Sequence, residues 1–156
     1  MSNLTTIYDK IRATLPTLTG FSDKTEIPYP YDLQQNDVNF IRNGWGLKIG
    51  SSTPQTATDN RQYTITTEIE VVLTERVART SSNADPLVEI TKNILNDISV
   101  LENDFTYTPH TTSTRFSSTD KITYVDVVSR SGIENVTSGK FNHITTSIIF
   151  GITHWN

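Results

Sequence analysis

Leu4, Ile7, Tyr8, Ile11 and Leu15 recur at helical spacing, which predicts an amphipathic helix over about Asn3 to Leu15. Pro16 and Gly20 close it. Lys24 to Ile27 reads as extended, and Pro28 and Pro30 then make Tyr29-Pro30-Tyr31-Asp32 a stiff connector rather than part of a ladder. Trp45, Leu47 and Ile49 alternate with Gly46 and Lys48, a strand with glycine on one face. Polar residues Ser51 to Asn60 read as a loop. The clearest element follows: Tyr63, Ile65, Thr67, Ile69, Val71 and Leu73 fall on one face, against Thr64, Thr66, Glu68, Glu70 and Thr74 on the other. Only Val72 breaks the alternation, so a long antiparallel strand with one dry and one wet face is expected.

Asp85-Pro86 opens a second helix, with Asp as N-cap and Pro at the first helical position. Its apolar stripe is Leu87, Ile90, Ile94, Leu95, Ile98 and Leu101, and its polar side carries Glu89, Lys92, Asn93, Asn96 and Asp97. Ile122 to Ser129 and Asn142 to Ile152 complete the strands, with Ile144, Ile148, Phe150 and Ile152 on one face. The order α-β-β-β-α-β-β predicts an α+β domain, an antiparallel or mixed sheet with two helices packed on it. No internal repeat or linker divides residues 1–156. Asn103 to Thr119 is left as a long connection, and such segments are commonly functional.

Composition narrows the chemistry. Ser and Thr make up about a quarter of the 156 residues, and 17 acidic against 13 basic side chains leave a net charge of −4. The surface is therefore one of hydroxyls and amides, without the basic footprint of a general nucleic-acid binder. There is no cysteine, which excludes disulfides, thiolate metal sites and thiol nucleophiles. No secretory signal or membrane span is read, so a soluble, intracellularly synthesised protein is expected.

Catalytic patterns are missing too. Neither a Gly-rich phosphate loop nor a Gly-x-Ser-x-Gly elbow occurs. His143 and His154 are an odd number of residues apart on one predicted strand, so they point to opposite faces and form no ordinary two-His metal pair. Glu68 and Glu70 share a face, but with Thr64, Thr66 and Thr74 beside them it reads as solvated rather than catalytic. The sequence predicts no enzyme and no cofactor.

One region is more specific. Pro30-Tyr31-Asp32-Leu33, the Asn-rich turn after it, and Phe40-Ile41-Arg42-Asn43-Gly44-Trp45-Gly46 resemble a pattern of tail-terminator (tail completion) proteins of long-tailed bacteriophages. Arg61 to Arg76 is similar to the long strand that follows in those proteins. That strand often ends Leu-Thr-Arg there, and Leu73-Thr74-Glu75-Arg76 departs by one residue. The resemblance covers roughly residues 1–100. Read locally, Asn43-Gly44 is a strong turn dipeptide that admits positive φ, Trp45 starts a strand with a large anchor, and Gly46 leaves room for a close neighbour.

The resemblance implies a homo-hexameric ring at the head-proximal end of a tail tube, in the virion after assembly in the host cytoplasm. It would bind the tail tube protein on one face and the head-completion protein on the other, with duplex DNA passing through and no membrane contact. Six subunits at −4 each carry −24. Glu68, Glu70 and Glu75, with Asp97 and Glu102, are the lumen candidates. The two long loops are expected to order against neighbouring subunits, with Phe105, Tyr107, Arg115 and Phe116 as anchors. Alternatives are another neck ring (a head-closure or adaptor subunit) or a Thr-rich monomeric carbohydrate- or surface-binding module.

Overall fold

A computed structural model describes residues 3–27, 43–54, 64–78, 84–106, 122–132, 134–138 and 141–155. Helix α1 spans Asn3–Thr14 and tightens into a 3-10 turn at Leu15–Thr17, where Pro16 ends regular helical bonding. Strands β1 (Thr25–Glu26), β2 (Asn43–Pro54) and β3 (Thr64–Ala78) follow. Helix α2 spans Ala84–Phe105, and β4 (Ile122–Arg130), β5 (Glu134–Ser138) and β6 (Phe141–Trp155) complete the order. Among the described residues no helix is long and apolar enough to cross a membrane.

The strands form one mixed sheet in the order β1-β2-β3-β6-β4, with β5 also paired to β6. Among the described strands only β1 on β2 is parallel. β3 and β6 pair in one unbroken register from Thr64↔Trp155 to Ala78↔Phe141, which makes them the spine of the sheet. On the other edge of β6, β4 takes the half from Ile148 to His154 and β5 the half from Phe141 to Thr145. Between them Ser131 bridges to Ser147: its amide donates to the Ser147 carbonyl at 3.0 Å, and its hydroxyl accepts from the Ser147 amide at 2.8 Å. This is the α+β architecture expected from the sequence, with one strand more. β5 escapes the pattern because Glu134-Asn135-Val136-Thr137-Ser138 has a single apolar residue.

The long-strand register holds. Thr67, Ile69, Val71 and Leu73 are buried, and their β6 partners Ile152, Phe150, Ile148 and Thr146 are buried beside them. Both described helices lie on that face. Ile7 and Ile11 of α1, Leu15 of the 3-10 turn, and Ile98, Leu101 and Phe105 of α2 share one core with Trp45, Leu47 and the inward strand residues. Ile94 and Ile144 form a smaller cluster at the other end of α2. The Phe105 ring meets Phe150 edge-on at 5.9 Å, so α2 runs along β6.

Three boundaries differ from the sequence reading. α2 continues to Phe105, because Phe105 extends the stripe of Ile94, Ile98 and Leu101; it is a core residue and not an interface anchor in a loop. Ser51–Pro54 belongs to β2, paired to β3 as Ser52↔Thr67, Thr53↔Thr66 and Pro54↔Ile65 after a bulge that follows Ile49. Asn43-Gly44 is the start of β2 and not a turn: Gly44 pairs with Thr74 on one side and Thr25 on the other, and among the described glycines only Gly20 has positive φ.

Candidate functional site

Polar side chains gather where the turn after α1 meets the start of β2 and the flank of α2. Three successive i+3 turns, Leu15–Leu18, Leu18–Phe21 and Phe21–Lys24, carry the backbone from the helix to β1. They bury Leu18 and Phe21 and swing Lys24 under α2. Its side chain is 1% exposed, and the ammonium donates to Asn43 Oδ1 at 2.7 Å and to Asp97 Oδ2 at 3.0 Å. It also lies 5.5 Å from the centre of the Phe21 ring. Gly20, Lys24, Asn43, Glu75, Asn93, Asn96 and Asp97 together line an open polar cleft of about 270 Å³.

Asp97 is a correction to the sequence reading, which placed it among the wet residues of α2 and among the lumen candidates. It is buried, since it sits at the edge of the stripe beside Ile94 and Ile98 and answers the charge of Lys24. Burial pushes its carboxyl above the ordinary value, and the Lys24 charge and hydrogen bond pull it partly back. Gly20 makes room for it. At φ +86° the residue adopts a conformation that side chains resist, and a Cβ there would lie 2.8 Å from Asp97 Oδ1. Gly20→Ala is therefore expected to cost about 2 kcal/mol in a denaturant melt, from backbone strain plus this clash. In an Asp97→Ala background the same substitution should cost only the strain, about 1 kcal/mol.

The other sequence-predicted positions separate. Asn43, Gly44, Trp45 and Gly46 open β2, with Asn43 holding Lys24 and Trp45 wholly in the core. Trp45 Nε1 has no hydrogen-bond partner among the described residues. Glu68 and Glu70 are half-exposed on the face of β3 away from the helices, where Glu70 faces Lys48 at 3.9 Å. Glu75 is on the opposite face and lines the cleft, so the three lumen candidates are not brought together. Glu102 pairs with Arg130 across the α2–β4 contact. Tyr31, Asp32, Leu33, Tyr107, Arg115 and Phe116 lie outside the described residues.

β6 keeps one register along β3 from His143 to His154, so no bulge interrupts the strand between them. His154 is buried, and a hydroxyl chain that the sequence did not suggest ends on it. Ser52 Oγ is 2.9 Å from Thr67 Oγ1, which is 3.1 Å from His154 Nε2; Nδ1 is 3.3 Å from the Trp155 carbonyl. Burial pushes the imidazole below its ordinary 6.5, and the Trp155 carbonyl opposes this in part. The bulge in β2 hides Ser52 from the sequence pattern, because it shifts the phase of residues 52–54 against β3. Among the described residues no group of three or more His, Cys, Asp or Glu could hold a metal ion. No known protein-family model matches the chain, and no curated protein matches it.

Proposed function

We propose that the chain is a structural virion subunit that closes the head-proximal end of a phage tail tube as a homo-hexameric ring. It ends tube polymerisation on one side and offers the attachment surface for the head on the other. The tail-terminator resemblance of residues 27–50 and 61–76 motivates this reading. The observation that carries it is the sheet face away from the helices. Thr64, Thr66, Glu68, Glu70 and Val72 are only half-buried there, and Val128 lies over Gly151 on the same face with 52% of its surface exposed. A polar, mildly acidic face of a rigid sheet suits a subunit that works through contacts, with Glu68 and Glu70 toward a lumen that DNA crosses without being held.

A heterologous contact between identical subunits closes into a ring when its rotation closes. The purified protein should therefore elute as an oligomer and show rings of six in negative-stain images. Deleting Tyr107 to Ser113 should leave a folded subunit that no longer assembles or joins tails to heads. Duplex DNA should not bind at physiological salt, since each Lys or Arg set against a phosphate would add salt-dependent affinity. A monomer by sizing would point to a surface-binding module instead. Tight, salt-sensitive DNA binding would point to a neck adaptor that grips DNA.

A further inference from the structure

The direction of every proton in the Ser52–Thr67–His154 chain follows from its inner end. The Trp155 carbonyl can only accept, so Nδ1 carries the hydrogen that meets it. A neutral ring then leaves Nε2 as an acceptor. Thr67 must donate to Nε2, and its oxygen is left to accept from Ser52. Ser52 is exposed, Thr67 is 0% exposed and His154 is 4% exposed, so the chain runs from solvent to a covered ring through two hydroxyls.

A hydroxyl both donates and accepts, so the whole chain can reverse. A hydronium ion gives its proton to Ser52 Oγ, the Ser52 proton passes to Thr67 Oγ1, and the Thr67 proton passes to Nε2. The ring becomes an imidazolium donating to Thr67, Thr67 donates to Ser52, Ser52 donates outward, and no hydrogen bond is lost. We propose that Ser52 and Thr67 form a reversible hydroxyl relay that delivers protons to His154, and that the relay makes the junction of β2, β3 and β6 an acid-sensitive latch.

The latch is sensitive because the charge it admits finds no counter-charge among the described residues. Facing His154 are Ile65 and Thr67 of β3, Ser52 of β2 and Ile122 of β4, none of which titrates. Lys48, Glu68, Glu70 and Asp126 fall on the opposite face, and Glu75 and Arg130 sit at the far ends of their strands. Burial acts on the ring most strongly, and the Trp155 carbonyl opposes it. With the folded pKa below the ordinary 6.5, the stability tied to neutral His154 is fully present above 6.5 and is lost as pH falls through the folded value.

The test is an NMR titration of the imidazole in the full chain. At neutral pH the Nδ1–H tautomer is expected, with a pKa below 6.5. Ser52 does not touch the ring, yet Ser52→Ala should lower that pKa by about half a unit or more, because only the protonated chain needs Ser52 as an acceptor. Ser52→Thr restores the hydroxyl and should restore the wild-type value. Thr67→Val should lower it further. Melting temperatures should drop between pH 7.5 and 5 in the wild type, and less so in His154→Gln. An Nε2–H tautomer, a pKa at or above 6.5, or a pKa unmoved by Ser52→Ala would each overturn the relay. An equal melting shift in His154→Gln would overturn the latch.

Discussion

Ile69→Asp unfolds this domain, whereas Thr66→Asp leaves it close to wild type. Ile69 is 0% exposed in the middle of the spine strand, paired with Ile49 of β2 on one side and Phe150 of β6 on the other, beneath the helices. A carboxylate there has no described partner and loses its hydration, which puts the expected cost at about 4 kcal/mol or more, a large share of a small domain's stability. Thr66 lies three residues earlier on the opposite face, half-exposed, and its hydroxyl sits 2.9 Å from that of Thr153. Its loss should cost about 1 kcal/mol. Thermal melts of the two variants side by side decide the matter; equal destabilisation would mean the strand is turned the other way.

Removing either end of the Lys24–Asp97 pair alone should be as damaging, and removing both should not. Lys24→Met strands a buried carboxylate and Asp97→Leu strands a buried ammonium, each at about 3–5 kcal/mol. The double variant replaces two desolvated charges with apolar volume and should recover most of that loss. A double-mutant cycle by chemical denaturation measures the coupling. The pH dependence gives an independent check. Since the folded Asp97 carboxyl lies above 3.8, the native state holds that proton more tightly than the unfolded chain. The corresponding stability is full below 3.8 and is lost as pH rises through the folded value. In Lys24→Met the carboxyl loses the one side chain that lowers it, so this loss should move to higher pH.

These two cases also mark how far the residue pattern carries. The face of β3 could be read because alternation is a strictly local property and runs the length of the strand. The stripe of α2 was equally legible, and its one extra turn to Phe105 lay in plain view as the next position after Leu101. Asp97 was not legible. Its place at the edge of the stripe is compatible with water, and only a lysine 73 positions earlier in the chain, brought in by the turns after α1, makes burial tolerable. The same holds for Asn43, whose turn-forming chemistry points one way locally while Lys24 and the β1 pairing hold it in a strand. Ser52, Thr67 and His154 come from three strands, and a β-bulge sets the phase between two of them. Long-range partners, and the irregularities that align them, are what a single chain read in order does not display.

β6 is the last described strand in the sequence, yet it lies inside the sheet, paired along its whole length to β3 and flanked on its other edge by β4 and β5. Until residues 141–155 are made, β3 lacks one of its two neighbours, and β4 has none among the described strands. The helices likewise have only half a surface to cover. Folding therefore waits on the arrival of one late segment, and the closing step joins positions 63 to 91 residues apart, which makes for slow barrier crossing. During synthesis the apolar face of β2 and β3 stands open, and its unpaired edge is a template for other nascent copies of the same chain. The charges of Glu68, Glu70, Glu75 and Arg76 along β3 are what deter such pairing until β6 arrives.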